Sequence, residues 1–202
     1  MKERIDLRRF ADELNVLANK PVKKGCVLFY GSSTFGIWKE LEQVFDDYNA
    51  VNCGFGGSTA HEGLYNYECV AARQQPSVMV WYYGDNDPVC GYTAQETEQL
   101  YVETWNKFRK DFPQIKIVTI ATKTSPARNE YAEYVGELNA WQKDYAAQHS
   151  DWLTFVDTSD ICKKDGEYLL ENYLPDQLHF GEKGYAILTK KLKAVLDKIY
   201  TK

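Results

Sequence analysis

The sequence predicts an α/β protein, a three-layer α/β/α sandwich with a five-stranded parallel sheet. Two observations predict this fold class. Short apolar runs bounded by turn residues alternate with longer segments of helical periodicity, and several of the runs are apolar without alternation, as in strands covered on both faces. Because right-handed crossovers bring the loops after parallel strands to one edge of the sheet, polar motifs that follow the strands should converge there.

The strand candidates are five short runs rich in apolar residues. In chain order they lie at 26–30, 50–53, 78–83, 115–120 and 153–156. Helical patterns precede and separate them, at about 5–18, 36–46, 59–74, 94–111 and 129–148. A last helix has an apolar face at Tyr185, Leu188, Leu192, Val195, Leu196 and Ile199. No internal repeat or Pro/Gly-rich linker interrupts this order, so a single domain over 1–202 is predicted.

The charge balance of the chain argues against several classes of partner. With 24 Lys and Arg against 29 Asp and Glu, the net charge of −5 shows no signature of binding to nucleic acid or to an anionic membrane. The first residues are charged and lack the apolar run of a signal peptide, and no stretch has the roughly 18 apolar residues of a membrane span. We therefore expect a small-molecule substrate and a cytoplasmic location, while oligomeric state has no signature in the sequence.

The five cysteines are scattered along the chain. They are odd in number and form no Cys-x-x-Cys pair, so neither a disulfide framework nor a structural zinc site is predicted. We expect free and mostly buried thiols at Cys26, Cys53, Cys69, Cys90 and Cys162.

The first polar motif, Gly31-Ser32-Ser33-Thr34, ends the first predicted strand. A nucleophilic serine benefits from a tight turn that exposes its oxygen, and from a helix N-terminus whose free N–H groups favour negative charge. Gly31 permits such a turn, and the helix predicted from about Gly36 supplies the N-terminus. On this motif alone, simple helix capping is the commoner explanation.

Two further motifs follow the second and third strands. The glycine-rich segment 54–57, Gly-Phe-Gly-Gly, either presents a backbone N–H to an oxyanion or phosphate or forms only a tight capped turn. Asn86 offers an amide donor at the edge of the sheet. Its neighbours Asp85 and Asp87 are interpreted as loop acids that hold a turn, and no histidine or further acid nearby completes a metal site.

The fourth motif spans 176–179, just before the last helix, and contains Asp176 and His179. An acid three residues before a histidine in one loop can orient the imidazole and support its charged form. The chain has only three histidines. His149 stands in a polar stretch and is interpreted as a surface residue, and His61, close to the glycine-rich segment, is a lesser candidate.

Together, the four motifs resemble those of the SGNH/GDSL hydrolase family of esterase- and lipase-like enzymes, and in particular its compact bacterial acylhydrolase-like branch. They occur in the family's order and span most of the chain. The resemblance implies a flavodoxin-like SGNH hydrolase fold with Ser33 as nucleophile and with Asp176 and His179 completing a catalytic triad. It also implies an oxyanion hole formed by the N–H groups of Ser33 and Gly57 and the amide of Asn86.

The chain departs from the family's usual pattern at two positions. Ser32 stands where the family usually has Asp, and Asp85 stands where Thr is more frequent. Neither position carries the proton transfer, so the departures affect the expected loop geometry and not the expected chemistry. The resemblance implies acyl transfer in two steps, with neither a metal nor an organic cofactor.

The function predicted from these residues is serine-dependent hydrolysis of carboxylic esters. Short acyl groups, such as acetyl on a small or carbohydrate alcohol, are expected because the strands and helices leave no apolar insertion for a lid or a long acyl tunnel. A lysophospholipase- or thioesterase-type acyl hydrolase is the alternative within this class. Lys123 and Arg128, after the fourth strand, either border the crevice and touch the substrate or belong to a solvated basic loop.

Two other classes of protein match the sequence less well. The Gly-x-Ser-x-Gly elbow of the α/β-hydrolases is absent, because Thr34 and Phe35 follow Ser33. A flavodoxin-like FMN-binding module is the alternative outside the hydrolases, since the segment 30–36 also looks like a phosphate-cradling loop. That interpretation lacks the hydroxyl residue expected beyond the glycine and leaves the acid and histidine of the fourth motif without a role.

Overall fold

The computed structural model describes residues 5–201. A five-stranded sheet forms its centre, with β1 at Val27–Gly31, β2 at Val51–Asn52, β3 at Val78–Tyr82, β4 at Lys116–Ile120 and β5 at Leu153–Val156. The strand order is β2-β1-β3-β4-β5, and every neighbouring pair is parallel. The predicted sheet is confirmed, and each strand end lies within one residue of its predicted position.

Helices cover both faces of the sheet. They are α1 at Ala11–Ala18, α2 at Ser33–Gly36, α3 at Leu41–Val44, α4 at Ala60–Tyr65, α5 at Ala94–Asp111, α6 at Ala132–Gln148, α7 at Ser159–Cys162 and α8 at Glu182–Ile199. One buried apolar cluster joins the sheet to α1, α4, α5 and α6, and a second joins it to the other four helices. Leu28 of β1 belongs to the first cluster and Phe29 to the second, because successive side chains of a strand point to opposite faces. The predicted three-layer architecture is confirmed.

The prediction of one helix at 36–46 is wrong. The structure has α2, then α3, and then a 3₁₀ turn at Asp46–Tyr48. Gly36 ends α2, and glycine is a poor residue for a helix interior. A side chain here would have a Cβ 3.3 Å from the backbone nitrogen of Gly56, so this position packs directly against the glycine-rich segment. The nucleophile candidate Ser33 therefore lies inside a short helix and not in a loop before a long one.

The helix predicted at 59–74 changes type along its length. It begins as α4, behind a capping box in which the Thr59 side chain and Glu62 satisfy each other's backbone N–H groups. It continues as a π-helical segment at Tyr67–Ala71 and a 3₁₀ turn at Ala72–Gln74. Most of the predicted range is therefore helical, but only its first part, α4, is an α-helix.

The remaining helices agree with the prediction in position, and α1 and α6 begin later than predicted. The predicted bounds of α5 are confirmed, α6 begins after a 3₁₀ segment at Pro126–Tyr131, and α1 begins at Ala11 instead of near residue 5. Within the part of the chain that is described, no helix is long and apolar enough to cross a membrane.

The cysteines follow the prediction. All five are free thiols, and Cys26, Cys53 and Cys162 are buried, while Cys69 is exposed and Cys90 half-buried. The buried three lie in the apolar clusters on the two faces of the sheet, where a thiol packs as a small apolar side chain.

The connection between β5 and α8 contains the fourth polar motif. After α7, the two-residue strands β6 at Lys163–Lys164 and β7 at Glu167–Tyr168 pair in antiparallel orientation. An isolated antiparallel bridge between Tyr173 and Phe180 then closes the loop that carries the acid and histidine. This bridge anchors the loop directly in front of α8.

The register of the central strands brings the polar motifs to one edge. Gly31, the last residue of β1, is paired with Tyr82, the last residue of β3. The Ser32 N–H extends this pairing by donating to the Tyr82 carbonyl at 3.1 Å. The loops after β1 and β3 therefore start side by side, as the parallel topology predicted.

We expect Gly31→Ala to destabilise the fold. A Cβ on Gly31 would collide with the Tyr82 carbonyl oxygen and would lie 2.9 Å from the Phe35 ring, and the backbone of a central strand cannot move away cheaply. The expected loss in the free energy of unfolding is about 1–3 kcal/mol, measured by urea denaturation.

Gly136→Ala is the matched control for this substitution. Gly136 lies on the exposed side of α6, and a Cβ there meets nothing within 4 Å. Alanine should stabilise this helix by about 0.5–1 kcal/mol, because glycine loses more backbone entropy on folding. A Gly31→Ala protein as stable as its parent would show that the β1–β3 approach imposes no steric constraint.

Candidate active site

Ser33 is the first residue of α2 and follows β1 directly after Ser32. Its side chain is nearly buried, and its Oγ lies 2.9 Å from Nε2 of His179, a residue 146 positions further along the chain. The structure therefore brings the first and fourth polar motifs into direct hydrogen-bond contact. Ser33 begins a helix of only four residues, so the expectation of a helix starting at about Gly36 is corrected here.

Asp176 and His179 form the second contact of this chain of hydrogen bonds. The imidazole Nδ1 lies 2.6 Å from Asp176 Oδ2, and Asp176 Oδ1 accepts the backbone N–H groups of Leu178 and His179 at 2.9 and 3.0 Å. Partial burial works against the charged carboxylate, but these bonds outweigh it and lower the pKa of Asp176 to about 2. At neutral pH Asp176 is ionised and can only accept, so Nδ1 carries a proton, and Nε2 faces the Ser33 hydroxyl.

The loop that carries these two residues is held by its own backbone. The Leu174 N–H donates to the His179 carbonyl, and the Gly181 N–H donates to the Asn172 carbonyl, both at 2.8 Å. Gln177 turns the chain with a φ of 55°, a left-handed conformation uncommon for a residue with a side chain. The loop is therefore a closed turn that its own backbone hydrogen bonds hold.

Asn86 joins the second and third motifs. Its Nδ2 donates to the Ser58 carbonyl at 2.9 Å and makes a longer contact, 3.3 Å, with Asp85 Oδ1. Its Oδ1 accepts from Nη1 of Arg128 at 2.9 Å. The carbonyl that Asn86 binds is next to Gly57, which has a φ of 72° and belongs to the glycine-rich segment. All four motifs therefore meet at one edge of the sheet, and the oxyanion roles of Ser33, Gly57 and Asn86 stay a prediction.

Lys123 is not part of a solvated basic loop, so that interpretation is wrong for this residue. Its side chain is 1% exposed, and its Nζ lies 2.5 Å from Asp85 Oδ2 in an ion pair whose carboxylate is 4% exposed. Burial favours neutral Asp85, but attraction to Lys123 and Arg128 and hydrogen bonds from Lys123 and Ser32 outweigh it, so the pKa of Asp85 is lowered. Asp85 is thus a buried partner of a cation and not merely an acid that holds a loop.

Sequence reasoning missed this ion pair although one signal for Lys123 was present. The residues on both sides of it, Ala121, Thr122 and Ser125, are small or hydroxylated and follow directly on a buried strand. A lysine in such surroundings has few solvated neighbours, which favours a buried position. Nothing local, however, identifies Asp85 as its partner, because 38 residues separate the two.

Asp87 is buried without a cation beside it. Its two carboxylate oxygens accept the backbone N–H groups of Ala60 and Gly84, at 3.0 and 3.1 Å. Burial raises the pKa of Asp87 to about 7, and the nearby acids Asp85 and Glu62 add to the shift, while the two N–H groups oppose it. The interpretation of Asp87 as an acid that ties down a turn is consistent with these contacts.

The other two histidines make contacts away from Ser33. His149 stacks on Tyr145 and its Nδ1 lies 2.8 Å from the Tyr145 carbonyl, while the Nδ1 of His61 lies 2.8 Å from the Tyr92 hydroxyl. Among residues 5–201, no group of three or more His, Cys, Asp or Glu side chains could hold a metal ion. The absence of a cofactor remains a prediction.

An apolar groove of about 630 Å³ lies between the segment that joins α2 to α3 and the start of α8. Neither Ser33 nor His179 lines it, although Phe180 and Ile37 are close to them in sequence. Its lining residues are Ile37, Trp38, Lys39, Glu40, Val44, Leu174, Phe180, Gly181, Glu182, Tyr185, Ala186 and Thr189. Ile37 and Leu174 are among the few large apolar side chains that are exposed.

Comparison with known proteins gives one family and a consistent fold. The GDSL-like lipase/acylhydrolase family matches residues 28–187, which is most of the chain. No curated protein sequence matches it.

Three solved structures illustrate the shared fold. A Bacteroides fragilis protein provisionally described as an acylhydrolase has a TM-score of 0.81 and 20% identity, with 97% of this chain and 98% of that chain covered. A GDSL-like lipase from Bacteroides thetaiotaomicron has a TM-score of 0.78 and 21% identity, covering 96% and 98%. The lipase/acylhydrolase from Enterococcus faecalis has a TM-score of 0.72 and 19% identity, covering 88% and 96%. At these sequence identities, the similarity to the three structures shows a shared fold and nothing more.

Asp87 should make the stability of the protein fall as pH rises toward neutrality. An unfolded aspartate ionises near about 3.9, whereas the pKa of Asp87 in the folded protein is about 7. Between these values the folded state retains a proton that the unfolded state has released. The stabilisation from this retained proton is complete below about pH 4 and is lost as pH rises through about 7. The resulting decrease in the free energy of unfolding is on the order of 2–4 kcal/mol.

Asp87→Asn provides the measurement, because an amide resembles the protonated acid at every pH. Urea denaturation of both proteins from pH 5 to pH 8 gives the difference in their free energies of unfolding. We expect the parent to lose stability relative to the variant across this range. A difference that stays constant with pH would mean that Asp87 is ionised throughout and that its burial does not shift its pKa.

Proposed function

This chain belongs to the GDSL-like lipase/acylhydrolase family, and from that premise we propose that it is a serine esterase that cleaves carboxylic esters through an acyl-enzyme. Family membership makes it a hydrolase. The observation that supports the serine mechanism is the unbroken line of hydrogen bonds from Ser33 Oγ through the His179 imidazole to the Asp176 carboxylate. In this proposal the three residues form a catalytic triad.

The first step is attack by Ser33 on the ester carbonyl. Nε2 of His179 takes the hydroxyl proton as the Oγ–carbon bond forms, and the carbonyl oxygen becomes an oxyanion. Asp176 stabilises the resulting imidazolium and holds its ring orientation, a role that suits a carboxylate with a pKa of about 2. The alcohol then leaves as its bond to the carbonyl carbon breaks, and it takes the proton from Nε2.

The second step releases the acid. Water loses a proton to Nε2 of His179 as its oxygen bonds to the acyl carbon, and when the second oxyanion collapses the Oγ–carbon bond breaks and Ser33 Oγ takes the proton back. No electron transfer is involved, and each proton that His179 accepts is given back within the same half-reaction. The protein's own groups are therefore sufficient for the proposed chemistry.

The proposed donors to the oxyanion are the N–H groups of Ser33 and Gly57 and the amide of Asn86. The hydrogen bond from Asn86 to the Ser58 carbonyl supports the proposal, because it ties the amide to the residue next to Gly57. The second amide N–H makes the longer of the two contacts, 3.3 Å with Asp85 Oδ1. That N–H is the one available to an oxyanion.

For the substrate, we propose a short acyl group on a small or carbohydrate alcohol. Neither Ser33 nor Asn86 lines the apolar groove, which supports an acyl group that stays close to the reacting oxygen. The net charge of −5 supports a small-molecule substrate over nucleic acid or an anionic membrane. The alternative FMN-binding module is disfavoured by the family match.

One observation favours the lysophospholipase- or thioesterase-type alternative. The apolar groove described above is large enough for an alkyl chain, and its exposed members Ile37 and Leu174 lie in the segments that also carry Ser33 and the acid–histidine loop. If the groove is continuous with the reacting centre when substrate is bound, long acyl chains gain binding energy there.

We expect Ser33→Ala and His179→Ala each to reduce ester hydrolysis by at least about 10⁴-fold, because each removes a group that takes part in bond formation or proton transfer. The measurement is kcat/KM on a panel of acyl esters and acetylated sugars. A fluorophosphonate should label Ser33 in the parent protein and nothing in Ser33→Ala.

His149→Ala and Ser77→Ala are the matched controls, since neither residue contacts the line of hydrogen bonds. Both should retain parental kcat/KM. Labelling of Ser32 or Ser58 instead of Ser33 would contradict the assignment of the nucleophile, and inactivation of the parent by a chelator, reversed by added metal, would contradict a cofactor-free mechanism.

Acyl length separates the two candidate functions. We expect acetyl and butyryl esters to exceed decanoyl and palmitoyl esters in kcat/KM, measured on monomeric substrates with one common alcohol. A chain that lies in the groove would instead gain about 0.8 kcal/mol for each buried methylene, so kcat/KM would rise steadily with length. In that case Ile37→Asn should remove the rise without affecting the acetyl ester, and the lysophospholipase- or thioesterase-type function would replace the short-acyl proposal.

A further inference from the structure

Asp85, Lys123 and Arg128 form a group that we call the charged cluster. The Lys123–Asp85 ion pair is almost completely buried. Burying two charges costs desolvation energy that their attraction often fails to offset, so a buried ion pair is weak evidence for a purely stabilising role. Its position next to the nucleophile candidate offers another explanation.

The ion pair holds the residues on both sides of Ser33. Asp85 Oδ1 accepts the hydroxyl of Ser32 at 3.2 Å, and Lys123 Nζ donates to Thr34 Oγ1 at 3.3 Å. A single carboxylate–ammonium contact therefore bridges the residue before the nucleophile and the residue after it.

A second contact fixes the ion pair to the sheet. The hydroxyl of Tyr82 lies 3.2 Å from Lys123 Nζ and 3.4 Å from Asp85 Oδ2. The backbone carbonyl of the same tyrosine accepts the Ser32 N–H at 3.1 Å. The cluster and the nucleophile turn are thus attached to the same residue at the end of β3, and a displacement of one is transmitted to the other.

Arg128 determines which way the Asn86 amide points. Its Nη1 donates both to the Asp85 carbonyl and to Asn86 Oδ1. A guanidinium has no acceptor, so only the carboxamide oxygen can face it, and the nitrogen must face the opposite way. That orientation aims the amide N–H groups at the Ser58 carbonyl and at the space beside it, and a flipped amide would present an oxygen to the oxyanion.

We infer that the charged cluster is a positioning unit for the reaction: Lys123 and Asp85 fix the turn on both sides of Ser33, and Arg128 fixes the orientation of Asn86. The inference rests on the proposed function, because it acts through the nucleophile and the oxyanion donor assigned there. Lys123 is buried beneath the turn and does not touch the substrate. Its effect on the reaction is therefore indirect.

The Arg128 part of the inference is tested by a double-mutant cycle with Asn86. Asn86→Ala should lower kcat by about 10²–10³-fold with little change in KM, as removal of an oxyanion donor does. Arg128→Ala should lower kcat by about 10-fold, again with little change in KM, because misplaced catalytic groups cost rate. In the Asn86→Ala background, Arg128→Ala should change kcat by less than about twofold.

Two outcomes of this cycle would overturn the Arg128 assignment. Full additivity of the two losses would mean that Arg128 does not act through Asn86. A change confined to KM would mean that Arg128 binds the substrate instead of holding the amide. Arg128 is half-buried at the edge of the site, so its replacement leaves the core intact and the cycle is measurable.

The Lys123 part is tested by comparing a single variant with a neutral pair. Lys123→Met leaves Asp85 without its cation and should lower both the Tm and kcat, the latter by about 10-fold or more. Asp85→Asn combined with Lys123→Met removes both charges and should regain most of the Tm, because no charge is left unpaired. Its kcat should stay about 10-fold or more below that of the parent, since Ser32 and Thr34 have lost their charged partners.

Gln142→Met is the matched control for loss of a buried polar contact. Gln142 accepts the Thr119 hydroxyl at 2.5 Å between β4 and α6 and hydrogen-bonds to no residue assigned to the reaction. It should lower the Tm and leave kcat unchanged. Recovery of kcat together with the Tm in the neutral pair, or unchanged kcat in Lys123→Met, would show that the ion pair is only structural.

Failure of the proposed function gives a different result from failure of this inference. If the parent protein hydrolyses no ester and a fluorophosphonate does not label Ser33, the function itself is wrong. If the parent is active and labelled, and the Arg128 and Lys123 variants match it in kcat and in the rate of labelling, only the positioning role is wrong.

Discussion

The close approach of β1 to β3 is the constraint on which the rest of the site depends. Gly31 lies against the Tyr82 main chain with no room for a side chain, and the Ser32 N–H continues the pairing of the two strands by one more hydrogen bond. Because the strands end together, Ser33 emerges beside the loop that carries Asn86. The glycine-rich segment fits into the same corner, where the Phe55 N–H donates to the Gly31 carbonyl at 3.0 Å. Main-chain contacts therefore hold three of the four polar motifs together, in addition to any contacts between their side chains.

The strands and the meeting of the motifs could be predicted from the sequence because both follow from local patterns and a topological rule. A strand buried on both faces is a continuous apolar run, and parallel connections bring the following loops to one edge. The break between α2 and α3 could not be predicted this way. Phe35, Trp38, Leu41 and Phe45 are all buried at nearly helical spacing, so the pattern is the same for one helix or for two short ones. The break depends on the packing of Gly36 against the glycine-rich segment, which is a tertiary contact.

The surroundings of the two acids in the third motif could not be predicted from the local sequence. Asp85 and Asp87 are two residues apart in one loop, and both are buried. Burial penalises the charge of each, yet the pKa of Asp85 is lowered by Lys123 and that of Asp87 is raised to about 7. The difference comes from a lysine in a different loop of the chain. The contact between Asp176 and His179 could be predicted more easily, because both residues belong to one turn and only the contact to Ser33 is long-range.

The wide separation of Ser33 and His179 along the chain has a consequence for synthesis and folding. Ser33 is synthesised early, and His179 follows 146 residues later, in the turn that the Tyr173–Phe180 bridge closes just before α8. Closing a loop of this length costs conformational entropy, and contacts between distant segments slow folding for that reason. A nascent chain that lacks this last segment therefore carries Ser33 without its hydrogen-bond partner His179. The proposed serine chemistry needs this partner, so the appearance of activity during refolding would report when the turn before α8 has docked.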